Sequence, residues 1–236
     1  MNSATNGQRR PARTRPQCDH GQRRNMVIAS LLGDIFQGRL GAGEHLVIHD
    51  LAKRYQVSPT PIREALVALE ANGILDLVPN RGAVVRKVTA VDVREICQVR
   101  RALECEAIRE ACGRIELARL QELAETFREL QAARRPTQRF LARARQADSQ
   151  LHDLVAEAGG NRFLAKQIGR LKLLFRAFRD VAWEYEKDHL RIVSEAGEHL
   201  AIIEALLAGD AKAASRAMTQ HIRSGSKYWS RLFSAS

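Results

Sequence analysis

Residues 51–85 read LAKRYQVSPTPIREALVALEANGILDLVPNRGAVV, and this stretch decides the fold of the N-terminal part of the chain. Ser58 stands where a helix N-cap is expected, and Pro59 and Pro61 follow in the first turn. A missing N–H there has no intrahelical partner to lose. The helix they open carries Ile62, Ala65, Leu66 and Leu69 to Glu70 and is stopped by Gly73. Ile74–Val78 and Ala83–Val88 then flank Pro79-Asn80-Arg81-Gly82, which predicts a two-stranded hairpin with a turn-rich tip. Working backwards, Ile48, Leu51, Ala52 and Tyr55 share one face of a short helix with Asp50 in its first turn. Before that, Val27, Ile28, Leu31, Leu32, Ile35 and Phe36 recur at helical spacing until Gly38, Gly41 and Gly43. Three short helices, the last two tightly joined, and a hairpin describe a winged helix-turn-helix over residues 26–88. The second helix of the pair is expected in a major groove, with the hairpin on the backbone or minor groove.

Working forwards, Thr89 caps a helix carrying Val93, Ile96, Val99, Leu103, Ala107 and Ala111. Further helices are predicted near 116–133, 138–158, 163–186, 191–207 and 211–228. Pro136, Gly159-Gly160 and Gly209 fall at the breaks, and Asp210 opens the last helix. The fold class is therefore mainly α: a winged helix-turn-helix, then an all-α antiparallel bundle of six or seven helices over residues 89–236.

The 236-residue chain has a formal net charge of +11, with 45% apolar and 28% charged residues. That composition is globular and excludes a wholly disordered chain. No apolar run reaches the roughly 18 residues that cross a bilayer, and the basic N-terminus lacks the apolar segment of a secretory signal. Cys18, Cys97, Cys105 and Cys112 form no CxxC pair, so a reduced, cytoplasmic protein without disulfides is expected. Residues 1–25 hold six Arg against one acid, Asp19, with almost nothing apolar. They read as a disordered basic arm, either contacting phosphates or merely solvated.

Asp148 and His152 lie four residues apart and share a helix face with Leu141, Ala144, Leu151 and Val155. His199 falls among Ile192, Ala196, Ile203 and Leu206, and His221 follows Ala214 and Met218. One carboxylate and three imidazoles thus come from three helices and aim at one core. Uncompensated, their burial is costly. A divalent transition metal (Zn, Ni or similar) would satisfy all four, given neutral imidazoles and an ionised Asp148. The other reading is core histidines bonded to carbonyls.

The string at 51–85 resembles the GntR family of bacterial transcription regulators, through LA…VS-x-TP-x-REAL…L…G…RG…V. The resemblance implies that Arg63 reads a guanine or clamps a phosphate, and that Ser58 and Thr60 touch phosphate. It also implies that Gly82 allows the wing tip close to DNA, with Arg81 beside it. Many members carry Arg directly after the Ser, where this chain has Pro59. Some carry Arg near the start of the preceding helix, where this chain has His49; Arg54 is the expected replacement. A surface ion pair with Glu64 or Glu70 is the other reading of Arg63. Residues 89–225 resemble the FCD ligand domain of the FadR branch, through Asp148-x3-His152, Glu198-His199-x2-Ile202 to Gly209-Asp210, and Met218-x2-His221. In that resemblance the four residues hold a metal whose remaining positions take water or an organic-acid effector. Arg100, in the "VR-x2-LE" segment, is the expected clamp for the effector carboxylate. A buried ion pair with Glu104 is its other reading, and Asn161 reads as a helix cap.

The leading expectation is a metabolite-responsive regulator, a repressor, that binds a palindromic operator in double-stranded DNA as a homodimer in the bacterial cytoplasm, associated with the nucleoid. No enzymatic activity is expected. A metal-dependent hydrolase would need a second carboxylate near the cluster, for which Glu104 and Glu195 are the candidates. A metal-responsive regulator without organic effector, and a metal-free bundle with non-specific DNA binding, are the remaining readings.

Overall fold

The computed structural model describes residues 20–133, 137–186 and 189–233. The basic arm up to residue 19, Cys18 and the predicted break at Pro136 lie outside the described residues. The first helix, α1 (His20–Phe36), begins inside the stretch expected to be arm. His20–Asn25 is helical because it adds one polar turn to the face that buries Val27, Leu31 and Leu32. α2 (Ile48–Arg54) and α3 (Pro59–Glu70) follow, separated by a turn in which Gln56 adopts a φ of 54°. α3 buries Ile62, Ala65, Leu66 and Leu69 and leaves Thr60, Arg63 and Glu64 exposed.

The hairpin strands are β2 (Leu75–Val78) and β3 (Gly82–Val85), with Asn80 at a φ of 59° in the tip. A two-residue strand, β1 (His45–Leu46), pairs antiparallel with β3 and makes β3 the central strand. No periodicity announces a strand that short, so the sequence reading missed it.

Six helices form the bundle among the described residues: α4 (Ala90–Ala111), α5 (Leu117–Ala132), α6 (Gln138–Ala158), α7 (Arg162–Glu186), α8 (His189–Leu207) and α9 (Ala211–Leu232). Their starts follow local chemistry. Thr89 and Asp92 form a reciprocal capping box on α4. Asn161 accepts from the Phe163 and Leu164 amides, the cap expected of it. Asp210 accepts from the Ala213 amide at 2.8 Å. α4 packs along α9, and α5 along α8, while α1 of the winged helix packs on α7. At that junction Phe36 stacks on Phe178 with ring centroids 4.7 Å apart, and Phe233 closes on both edge-to-face. The DNA-binding head and the bundle therefore share one apolar core. None of the described helices is long and apolar enough to cross a membrane.

Candidate functional site

The structure brings Asp148 and His152 from α6, His199 from α8 and His221 from α9 together. All four are buried, and one ligand atom from each lies within 4.8 Å of the others. His199 Nε2 stands 3.3 Å from Asp148 Oδ1, and His152 Nε2 stands 3.8 Å from it. The Phe127 ring stacks on His199 at 4.7 Å and fixes its plane.

Two of the imidazoles are oriented from behind by carboxylates. His152 Nδ1 is bonded to Glu104 Oε2 on α4. His221 Nδ1 meets Glu198 Oε2 at 3.1 Å, and Glu198 is held by Arg191 at 3.0 Å and the Ser224 hydroxyl at 2.6 Å. A proton on each Nδ1 leaves each Nε2 with its lone pair, which is the tautomer a metal ligand needs. Burial, reinforced by the neighbouring His199, pushes the His221 imidazolium down to about 3, so the ring is neutral. Burial works to raise the Asp148 carboxyl, but Arg179 and the histidines overcome it and hold the group well below the usual range. Arg179 bonds Asp148 Oδ2 and leaves Oδ1 facing the imidazoles.

The cluster passes a further test of fit. Among the described residues neither buried ring nitrogen of His199 has a well-formed hydrogen bond; its Nε2 lies 3.3 Å from Asp148 Oδ1, a contact that helps hold the Asp148 carboxyl down. An orphaned buried imidazole is costly, and a cation among the four ligands would remove that cost at Nε2. The alternative of carbonyl-bonded core histidines finds no support, since the side-chain partners of His152 and His221 are carboxylates and Arg100.

Arg100 is buried, and its Nε donates to Glu104 Oε1 at 2.6 Å, so the ion pair is formed. Its Nη2 also lies 3.0 Å from His152 Nε2, and the guanidinium faces the Phe175 ring at 4.9 Å. It lines a cleft with Asp148, His152, Phe175, Arg179 and Trp229 whose free volume is about 30 Å³, room for a single water. Against burial, Arg100 and His152 draw the Glu104 carboxyl down to about 2. That tied carboxylate is no general base. Glu195, the other candidate, is buried, and burial raises its carboxyl against the pull of Arg191 and His199.

Arg179 and the orienting role of Glu198 escaped the sequence reading. Arg179 lies one helical turn beyond Phe175 on the same face of α7, and that spacing was its available signal. Glu198 adjoins His199 in sequence yet serves His221 on another helix, which no spacing rule discloses.

At the DNA-binding head, Ser58, Thr60 and Arg63 are exposed around the start of α3. Ser58 occupies the N-cap position but makes no side-chain cap bond. Arg63 makes no ion pair with Glu64 or Glu70, and Arg81 is exposed on the wing. Two residues of the expected set also serve the fold. Gly82 is buried at a φ of 108°, and a Cβ there would lie 1.9 Å from the Leu46 carbonyl oxygen. Its bare backbone admits β1 beside β3. Arg54 is paired with the buried Asp34 at 2.7 Å, beside Arg39 and the Tyr55 hydroxyl on the same carboxylate. It lines a cleft towards α6 and α7, because a nearly buried Asp34 needs the charge. The remaining thiols pack: Cys97 and Cys105 are buried and free.

A winged helix-turn-helix whose recognition helix exposes Arg63 beside Thr60, joined to an all-helical domain, defines a DNA-binding regulator. The profile of the bacterial regulatory proteins of the gntR family matches residues 23–85, and that of the FCD domain matches residues 95–224. The chain belongs to the GntR family, with a C-terminal FCD domain, and is a transcription regulator rather than an enzyme. It is 30% identical to the HTH-type transcriptional regulator BphR of Paraburkholderia xenovorans strain LB400, over 82% of this chain and 80% of that one. It is 27% identical to the HTH-type transcriptional repressor RspR of Escherichia coli K12, over 84% of each. Among solved structures it is similar in fold to E. coli McbR/YncC, with a TM-score of 0.64 at 20% identity, covering 85% of this chain and 93% of that one.

Proposed function

We propose that the protein is a metal-containing, metabolite-responsive repressor of the FadR branch, acting as a homodimer on a palindromic operator in the bacterial cytoplasm. The observation that carries the metal is the convergence of four buried ligand atoms within 4.8 Å, two of their rings oriented by carboxylates and one otherwise orphaned. Asp148, His152, His199 and His221 would hold a Zn- or Ni-like ion. Such an ion supplies an electrophilic anchor for a carboxylate. The chain's own part is to orient the rings, exclude water with Phe175 and Trp229, and present Arg100 to the ligand's second oxygen. Arg100 can do so only by leaving His152, and then keeps Glu104 as its partner.

Support for DNA contact lies in the exposure of Ser58, Thr60, Arg63 and Arg81. Repression is favoured by relatives described as repressors, RspR and a probable D-xylose utilization operon repressor of Paenarthrobacter nicotinovorans. Two-fold symmetry of the protein would match a palindromic site.

Elemental analysis of the purified protein beside its His152→Ala/His199→Ala variant tests the centre. About one equivalent of a transition metal per chain, lost in the variant, is expected. No metal in a folded native sample removes this part of the reading. A thermal-shift screen of organic acids on the metal-loaded protein then tests the effector, because a ligand that binds only the folded state stabilises it. A second reading is favoured by the cleft's free volume of about 30 Å³, too small for an organic acid without opening. In it the metal itself is the signal, and operator affinity follows metal occupancy with no acid present.

A further inference from the structure

The last helix, α9, buries His221 on one face and carries a cationic stripe on the other. Among the described residues its exposed positions are Lys212, Arg216, Gln220, Arg223, Lys227 and Arg231. They recur every three or four residues, so they lie along one line of the helix surface. From Lys212 to Arg231 that line runs about 28 Å, given the axial rise of an α-helix. No Asp or Glu occurs within α9, and Asp210 just before it is spent on capping the Ala213 amide. None of the five cations forms an ion pair among the described residues. Elsewhere in the bundle the usual arrangement holds: on α4, Arg109 and Arg114 pair with Glu106 and Glu110 one turn away. Nearer its start, α4 adds to the stripe instead. Arg94 and Arg101 share with Arg223 and Lys227 a groove of about 410 Å³, whose lining also holds Gln98 and Ser226 and no acid.

Like charges four residues apart, as at Lys212 and Arg216 or Arg223 and Lys227, disfavour the bare helix. The helix dipole favours cations only in the last turn, so Arg216 and Arg223 gain nothing from it. A bound polyanion removes the repulsion. A long straight line of charge suits an extended partner better than a small anion, and the backbone of duplex DNA carries closely and regularly spaced negative charge. We propose that the α4–α9 face is a second, sequence-independent site for double-stranded DNA, separate from the winged helix. It holds the duplex by its phosphates, so that one protein can hold two stretches of DNA at once.

The test is titration of a fluorescent random-sequence duplex with the full-length protein over a range of salt, read by anisotropy. Arg216→Ala/Arg223→Ala/Lys227→Ala should bind about tenfold more weakly or worse, and its slope of log affinity against log salt should fall by about 2 to 3, as three phosphate contacts are lost. All three side chains are exposed and unpaired, so the variant should fold. Arg223→Gln/Lys227→Gln, which keeps the bulk of both side chains, should lose about 2 of the slope and decides the matter if the triple variant does not fold. Arg119→Ala/Arg128→Ala/Arg162→Ala removes as much exposed charge from α5 and the start of α7, and should keep the slope within about one. The deficit of the stripe variant should persist on an Arg63→Ala background, so this site and the recognition helix fail independently. Native protein on a bead-bound duplex should also capture the free fluorescent duplex, and the stripe variant should not. An unchanged slope in the stripe variant, an equal loss in the α5 and α7 control, or undiminished capture by the stripe variant overturns the proposal. Stripe-dependent binding to phosphatidylserine vesicles that outcompetes the duplex gives the face to a membrane and overturns it too.

Discussion

Gly82 and Arg63 show opposite ways in which one residue in a conspicuous motif can matter. Gly82 belongs to the architecture. Its φ of 108° is open to few residues with a side chain, and a Cβ would meet the Leu46 carbonyl oxygen at 1.9 Å. Gly82→Ala should therefore cost about 3 kcal/mol or more of winged-helix stability, read by thermal or urea unfolding. A variant as stable as the native protein would return Gly82 to its expected role at the DNA. Arg63 is exposed and forms no ion pair among the described residues, so Arg63→Ala should leave the unfolding midpoint in place. Its operator affinity should fall about 10- to 100-fold, as expected for one guanidinium reading a base or phosphate. A drop in stability without a drop in affinity would sink that assignment. The sequence announced both residues as important, because a glycine in a turn and an Arg at a recognition helix are visible signals. It could not separate their roles. The strand that crowds Gly82 is only His45–Leu46, and such a pair leaves no periodic trace.

Helix spacing explains which parts of the proposed metal site could be read in advance. Asp148 and His152 are four apart on α6 and so share a face; His199 and His221 fall on the apolar stripes of α8 and α9. All four converge as those stripes require. The groups behind them were not legible, because each acts across helices. Glu104 reaches from α4 to α6, Arg179 from α7 to α6, and Glu198 from α8 to α9. Spacing along one helix says nothing of the register between two. The same cross-helix contact makes Glu198 the cleaner probe of ring orientation, since it is partly exposed and Glu104 is fully buried. Glu198→Gln removes the charge behind His221 while keeping the shape. Metal affinity should fall about 10- to 100-fold in competition with a chromophoric chelator. The metal-free protein should also lose stability, because Arg191 and Ser224 lose the same carboxylate, so the affinity is compared on samples shown to be folded. An unaltered affinity would mean that Phe127, His199 and packing suffice to place the His221 ring.

At the scale of the molecule, the Asp148/His152/His199/His221 cluster and the DNA-binding head meet through consecutive residues of α7. Arg179 holds Asp148, a proposed ligand of the ion, while Phe178 stacks beneath Phe36 at the end of α1. An ion that draws on Asp148 alters the charge Arg179 answers to, and a shift of that helical turn is felt at once by the Phe36 ring. The junction is a close-packed apolar contact, so it resists small deformations and passes them on. If the ion biases the head in this way, linkage fixes the bookkeeping. The factor by which metal changes operator affinity must equal the factor by which operator changes metal affinity. Couplings of this kind are typically about 1–3 kcal/mol, or about 5- to 150-fold. Phe36→Leu keeps the junction apolar while removing the ring stack. It should pull that factor towards one, with metal affinity in the absence of DNA held within about twofold, since the ring contacts of Phe36 are with Phe178 and Phe233 rather than with the imidazoles. Operator binding measured with metal-loaded and chelator-treated protein, native and variant, gives the four numbers needed. A factor above one that survives Phe36→Leu undiminished would move the coupling elsewhere, to the Arg-lined cleft between α2 and α7. A factor of one in the native protein would leave the centre a structural element that holds α6, α8 and α9 together without informing the head.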